Sequence, residues 1–338
     1  MVKRFIVVGI LGLLCIAGFI MVLFAPAEAS TSPNDFIGAV QGDGTPAPTL
    51  EPFIQSDLTI LAGNVQRPNG IYWHDGYLYT GCAGDFTIYR VNDTTGETTT
   101  YMAGVQNAHT IYAETNAQGG VDLWVPDFQR NAVVNVVEGP EMNMIAEGLN
   151  SPWGMDVASD GSFFVTQLRG DNVLHVQRDG TYAEVAVDLR NPTGIAVDGD
   201  YVYVANNGSA RRAIEWFDVN EAPINEDSIQ PLVQGLQNTT GVVLGPDRLL
   251  YFAYSLGTRG IVGRVDPEHC RENGGCTNAD VEIVLWSELS APLAGLTLSD
   301  DLRLYVHTMF GSEIYYVQLP PDTLNRVTEV AEDTPGDG

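Results

Sequence analysis

The stretch Ser151-Pro-Trp-Gly-Met-Asp-Val-Ala-Ser-Asp-Gly-Ser-Phe-Phe-Val-Thr166 decides how this chain is read. It contains a turn, a short strand opened by Gly154, an Asp160-Gly161 turn and a second strand ending at Thr166. The same sentence recurs as RPNGIYWHDGYLYT from Arg67, NPTGIAVDGDYVYVA from Asn191 and TTGVVLGPDRLLYFA from Thr239. Weaker copies run from Asn107 to Pro126 and from Pro292 to Thr308. The residue opening each first strand is Gly70, Thr110, Gly154, Gly194, Gly241 and Gly295, at spacings of 40 to 54 residues. Short alternating strands repeated at that period mark the blades of a propeller rather than a sandwich.

Each second strand carries an aromatic residue in one column: Tyr79, Trp124, Phe164, Tyr203, Tyr251 and Tyr305. These are expected to be core packing. Third strands follow, such as Thr87–Val91 and Val173–Gln177, and a fourth strand precedes the next copy, such as Thr99–Met102 and Ala183–Val187. The sixth copy lacks its fourth strand, while Asp57–Leu61 is a lone strand ahead of the first copy. Pairing the two closes the ring and removes the exposed edges that invite aggregation. The expected fold is therefore all-β, a six-bladed β-propeller over residues 57–320, closed by an N-terminal strand that completes the last blade.

Outside that body the composition changes. Lys3 and Arg4 precede an apolar run from Phe5 to Phe24 and an Ala27-Glu28-Ala29 motif. Residues 1–29 are expected to be a signal peptide or an N-terminal membrane anchor, which puts the body outside the cytoplasm, secreted or tethered. Residues 30–56, rich in Thr, Pro and Gly, read as a flexible linker, and 321–338 as an acidic tail. The chain of 338 residues carries 43 acidic and 16 basic side chains, a formal charge of -27. That balance argues against nucleic acid or an anionic membrane surface as partner, since phosphate binding needs a basic footprint; contact with a membrane is expected only through the N-terminal segment. Cys270 and Cys276 flank a Gly-rich loop and are expected to form a disulfide in an exported protein, which leaves Cys82 free.

In a propeller the connection into each innermost strand and the loop between second and third strands share one face, around the channel mouth. The candidates there are Asn69, His109, Trp153, Thr193 and Thr240 before the first strands, and Asp127, Gln167, Asn206 and Tyr254 at the ends of the second. His307 joins them, because it stands in a column that is otherwise small. Asp85, Arg169, Asp171, Asn207, Arg211, Arg212 and Arg259 extend the same rim. His109 and Asp127 are the sharpest pair, since a histidine oriented by a carboxylate is the usual general base. No G-x-S-x-G elbow, phosphate loop, H-E-x-x-H, C-x-x-C or dinucleotide fingerprint occurs.

On its P-x-G-I/M, D-G and Y-V pieces, the region from Asp57 to Pro320 resembles the group of six-bladed propellers that includes NHL-repeat proteins and the SMP-30/gluconolactonase family. Resemblance to the lactonases implies a divalent cation at the channel mouth, held by a Glu near the first blade and by Asn and Asp in P-N-G and P-D-G contexts. Pro68-Asn69-Gly70 matches the first of these contexts. No blade offers P-D-G, and Asp127 is the candidate to replace one of the missing carboxylates. Leu149–Met155 is similar to the first blade of soluble quinoprotein sugar dehydrogenases. The segment from Gly245 to Asp266 looks like a blade of streptogramin lyases, whose paired catalytic His and Glu have no placed counterparts here. The expectation is a binding propeller for a small molecule, glycan or protein segment. The alternative is an SMP-30-like extracytoplasmic hydrolase with a rebuilt metal site and His109 or Asp127 as base.

Overall fold

The computed structural model describes residues 51–320, except 138–140, 222–223 and 225–227. The expected leader, most of the linker and the acidic tail lie outside the described residues. The body is a ring of six antiparallel sheets. The innermost strands are Pro68–His74, Tyr112–Thr115, Pro152–Val157, Pro192–Asp198, Val242–Leu244 and Leu293–Leu298. In each blade the next two strands follow outward in chain order. In the sixth blade the outermost strand is Thr59–Ala62, which pairs antiparallel with Ile314–Gln318. The ring closes as the sequence predicts.

Six apolar clusters fill the six seams between blades. Tyr79 lies in the cluster between the first and second blades, Trp124 between the second and third, and Phe164 between the third and fourth. Tyr203 lies between the fourth and fifth, Tyr251 between the fifth and sixth, and Tyr305 in the closing seam. All six are buried. Each blade thus uses the outward step of its second strand to bury an aromatic ring against its neighbour.

The glycine that opens the innermost strands has a steric reason. Toward the axis, neighbouring innermost strands approach until backbone meets backbone. A Cβ on Gly154 would stand 2.1 Å from the Thr193 carbonyl oxygen, and one on Gly194 would stand 2.5 Å from the Val242 nitrogen. The Gly194 amide donates to the Thr240 carbonyl in the next blade at 2.8 Å, and the Gly70 amide donates likewise to Ala108. The recurring motif is the imprint of this close approach.

Two segments depart from the sequence reading. Phe53–Ile54, assigned to the linker, adds a parallel strand to the outer edge of the fifth blade. The Gly-rich loop before Cys276 contains a helix, Pro267–Glu272, with proline at its start. Its cap is Asp266, which accepts the Glu268 and His269 amides. The Cys270–Cys276 disulfide is formed. It holds Cys276–Thr277 as an added strand on the outer edge of the fourth blade, so this insertion stitches the fourth blade to the fifth.

Candidate functional site

A cavity of about 70 Å³ runs along the ring axis. Its upper part is lined by His109, Trp153 and Thr240 and its lower part by Tyr72, Asp156 and Thr297. At the upper end the His109 and Trp153 rings are stacked, 3.4 Å apart and 9° from parallel. Phe128 meets both edge-on, at 5.4 Å from His109 and 5.7 Å from Trp153. The Arg169 guanidinium lies 5.8 Å from the Phe128 ring centre. The Phe128 amide donates to the Asn107 carbonyl, and the Asn107 side chain accepts from the Asn69 amide, which sets the height of this platform. Burial pushes the His109 imidazole down to about 3, so it is neutral through the physiological range and contributes as a ring rather than as a cation.

The structure does not join His109 to Asp127. Asp127 is fully buried, and its oxygens accept the Gln106 and Arg130 backbone amides and the Arg130 guanidinium. It is one of a series. Gln167 accepts the Asn150 amide, Asn206 accepts the Arg190 amide, and the Cys82 sulfur takes the Gln66 amide. In four blades, then, the last side chain of the second strand clamps the backbone three residues before the next column, at Asn69, His109, Trp153 or Thr193. A buried loop amide needs such a partner, and these residues supply it. The rest of Gln167 and Asn206 is occupied too. Gln167 donates to Asn172, and Asn206 donates to the Arg212 carbonyl and to Glu215.

Thr193 and Thr240 also serve the ring. Thr193 donates to the Thr239 carbonyl and Thr240 to the Leu293 carbonyl, each tying its blade to the next. Tyr254 is buried against the seam between the fourth and fifth blades, with its ionisation pushed up to about 12 by that burial. Cys82 is buried and free, its thiol raised to about 12 mainly by desolvation, which makes it unreactive. His307 is fully buried, and neither ring nitrogen finds a hydrogen-bond partner. Burial lowers it to about 4, so it is a neutral core ring between the first and last blades.

The donor set does not fit a divalent cation. Asn69 is 4% exposed, and its side-chain nitrogen donates to Asn107 Oδ1. Asp127 is neutralised by Arg130. Among the described residues no group of three His, Cys, Asp or Glu side chains converges as a metal site would require.

Two residues of the site escaped sequence reasoning, Phe128 beside the His109–Trp153 stack and Asp156 in the cavity wall. Phe128 directly follows Asp127, and its signal was an aromatic residue in an otherwise polar loop. Asp156 is a carboxylate inside an apolar innermost strand, within the opening stretch itself. Desolvation raises it from 3.8 to about 6, against hydrogen bonds from the Val157 and Val197 amides. Because the folded value lies above the unfolded one, the folded state holds an extra proton between them, and stability present at low pH is lost as pH rises through 6. The melting temperature of the wild type relative to Asp156→Asn should therefore fall between about pH 5 and pH 7.5, by the equivalent of about 1–1.5 kcal/mol. Thermal melts of both proteins at each pH check this; parallel pH profiles would overturn it.

No family model matches the chain. Its sequence is 27% identical over 136 residues to the virginiamycin B lyase of Nocardia farcinica, a match that takes in 40% of this chain and 46% of that protein. The chain thus spans about half the length of the curated relative it matches. Among solved structures, virginiamycin B lyase from Staphylococcus aureus is similar at a TM-score of 0.54 with 15% identity, over 78% of this chain and 99% of that one. A gluconolactonase from Xanthomonas campestris is similar at a TM-score of 0.59 with 16% identity, over 78% of this chain and 89% of that one. At these identities the likeness is one of architecture. The chain is a six-bladed β-propeller that shares its fold with virginiamycin B lyase and with the gluconolactonase-like propellers.

Proposed function

We propose that this protein is an exported or membrane-tethered propeller that binds a small ring-bearing molecule at its channel mouth. The observation that carries the reading is the stacked His109–Trp153 pair, with Trp153 half-exposed at the upper end of the axial cavity. Most of the polar candidates around it are committed to the ring itself, so the mouth offers flat apolar faces more than a set of free hydrogen-bonding groups. Such faces suit an aromatic ring or the apolar side of a sugar. Export is supported by the basic start, apolar run and small-residue motif of the first 29 residues. The charge of -27 supports a partner other than nucleic acid.

The test is a ligand-observed NMR screen of aromatic and pyranose compounds against the wild type and Trp153→Ala. Removal of a central aromatic anchor typically costs 2 kcal/mol or more, so compounds that bind at the mouth should weaken by about thirtyfold. Hits whose affinity is indifferent to Trp153→Ala would place binding elsewhere and remove the reading.

A second reading, an enzyme that opens a cyclic ester, is favoured by the match to virginiamycin B lyase and by the fold shared with a gluconolactonase. His109 would be its base, as a neutral imidazole at the mouth. Incubation with virginiamycin B and with gluconolactone, followed by mass spectrometry, tests it. Turnover abolished by His109→Ala would support the enzyme, and turnover that survives would move the base elsewhere.

A further inference from the structure

Position for position, the innermost strands show what is unusual about Asp156. Two residues after the opening glycine or threonine stand Tyr72, Tyr112, Asp156, Ala196, Val243 and Thr297. Two of these have the same structural duty. The Thr297 hydroxyl accepts the Trp73 amide of the neighbouring blade at 3.2 Å, and Asp156 Oδ2 accepts the corresponding Val197 amide at 2.8 Å. A neutral hydroxyl therefore suffices for the bond between blades. The charge on Asp156 exceeds what the fold needs.

That charge is also unbalanced. Asp156 Oδ1 accepts only its neighbour's amide, from Val157 at 2.8 Å, and none of the ion pairs among the described residues includes Asp156. It is the only carboxylate among the residues lining the cavity. Tyr72, from a blade that is not its neighbour, faces the same cavity, and its own ionisation is pushed up by burial and then by Asp156, Tyr112, Asp300 and Glu114. The lower channel thus carries a carboxylate that no ion pair among the described residues neutralises. A desolvated carboxylate lacking a counter-ion is costly, and a ligand that brings one recovers that cost. The cavity of about 70 Å³ exceeds the roughly 10–15 Å³ needed by one water several times over, which leaves room for a small charged head group.

We propose that the lower channel is a subsite for an organic ammonium group, with Asp156 as its counter-ion and the Tyr72 ring beside it. Resting on the mouth reading above, this makes the ligand a ring-bearing amine, with its ring at Trp153 and its nitrogen at Asp156. The two residues are three apart on one strand, and the register shift between Pro152 and Met155 lets both face the cavity, over an interval of at most about 10 Å. A spacer of a few methylenes between ring and nitrogen bridges that interval.

Phenylbutylamine and phenylbutanol are a matched pair for the test, differing chiefly in charge. Their affinities for the full chain are measured by calorimetry near neutral pH, in the wild type, in Asp156→Asn and in Asp156→Thr. The threonine variant copies the sixth blade's own residue and so keeps the bond to Val197; circular dichroism and a melting curve establish that each variant is folded. In the wild type the amine should bind at least about tenfold more tightly than the alcohol, as a charge-assisted hydrogen bond gives. In both variants the ratio should fall to about one, chiefly through loss of affinity for the amine. Equal binding in the wild type, or a preference for the amine that survives in either folded variant, overturns the ammonium subsite and leaves the mouth reading standing. If neither compound binds the wild type, the ammonium subsite is overturned, and the mouth reading is decided by its own screen against Trp153→Ala.

Discussion

Gly154→Ala is expected to be among the most damaging single-methyl changes in this protein, and Gly241→Ala at the equivalent position two blades on is expected to be mild. The added Cβ at position 154 would meet the Thr193 carbonyl oxygen at 2.1 Å, the Thr166 hydroxyl at 3.0 Å and the Gly194 Cα at 3.2 Å. None of these can swing away. The Thr193 oxygen already accepts the Thr166 hydroxyl at 2.6 Å, and Thr166 in turn accepts the Gly154 amide at 2.7 Å. Relief requires the third and fourth blades to part, which breaks that network and opens the seam packed around Phe164. Overpacking costs typically about 1–3 kcal/mol, and a clash with backbone that a rotamer change cannot absorb belongs at or above about 3 kcal/mol, a large share of a marginal domain's stability. At position 241 the closest atom is Leu296 Cδ2, at 3.0 Å, the end of a flexible side chain. There the cost should be about 1 kcal/mol. Urea melts of the two variants, or their soluble yields if Gly154→Ala does not accumulate, give the comparison. Equal effects would mean that the innermost strands are not held by these backbone contacts.

Arg264→Met should destabilise the fifth blade by about 3–5 kcal/mol, the usual cost of stripping one partner from a buried ion pair. Arg264 is 1% exposed. It donates from Nε to Glu282 at 2.7 Å and from Nη1 to the Tyr251 hydroxyl at 3.0 Å, and it stands 3.6 Å from Asp247. Asp247 in turn accepts the Tyr251 hydroxyl at 2.7 Å. Burial raises the Asp247 carboxyl, and the Tyr251 hydrogen bond and Arg264 act against that rise. Without the guanidinium, Asp247 is left buried with only the Tyr251 hydroxyl and the Leu249 amide as hydrogen-bond donors. Neutralising it as well, in Arg264→Met/Asp247→Asn, should recover more than half of the loss, because the orphaned charge and not the missing packing dominates. Arg264→Lys should rescue poorly, since one ammonium cannot reproduce the two directions of the planar fork. A double-mutant cycle by chemical denaturation measures all of this; additive effects would show that Arg264 and Asp247 do not interact.

The repeat, its period, the aromatic column and the orphan strand at Thr59–Ala62 were all legible in the chain. Each follows from a local rule that repeats: two-residue alternation, turn chemistry, and a glycine wherever innermost strands meet near the axis. Ring closure followed because an unpaired strand and an incomplete sheet leave one economical pairing. The roles of the polar residues at the mouth were not legible in that way. The register shifts at the start of the innermost strands, between Pro68 and Gly70, Pro152 and Met155, and Pro192 and Ile195, break the alternation that would tell which way a side chain points. Asp127, Gln167 and Asn206 therefore read as ligand contacts when they are clamps on loop amides. Whether His109 met Asp127 or Trp153 depended on how two neighbouring blades are set, and the stacking at 3.4 Å answers it. Asp156 was visible as an acid in an apolar strand, but only the assembled ring shows that it lines the axial cavity with no ion-pair partner among the described residues. Sequence by itself determined the blades and their number, because these rest on contacts between residues close in the chain. The tertiary structure alone decided which side chains face the channel, because that face is assembled from residues of all six blades that no local pattern relates.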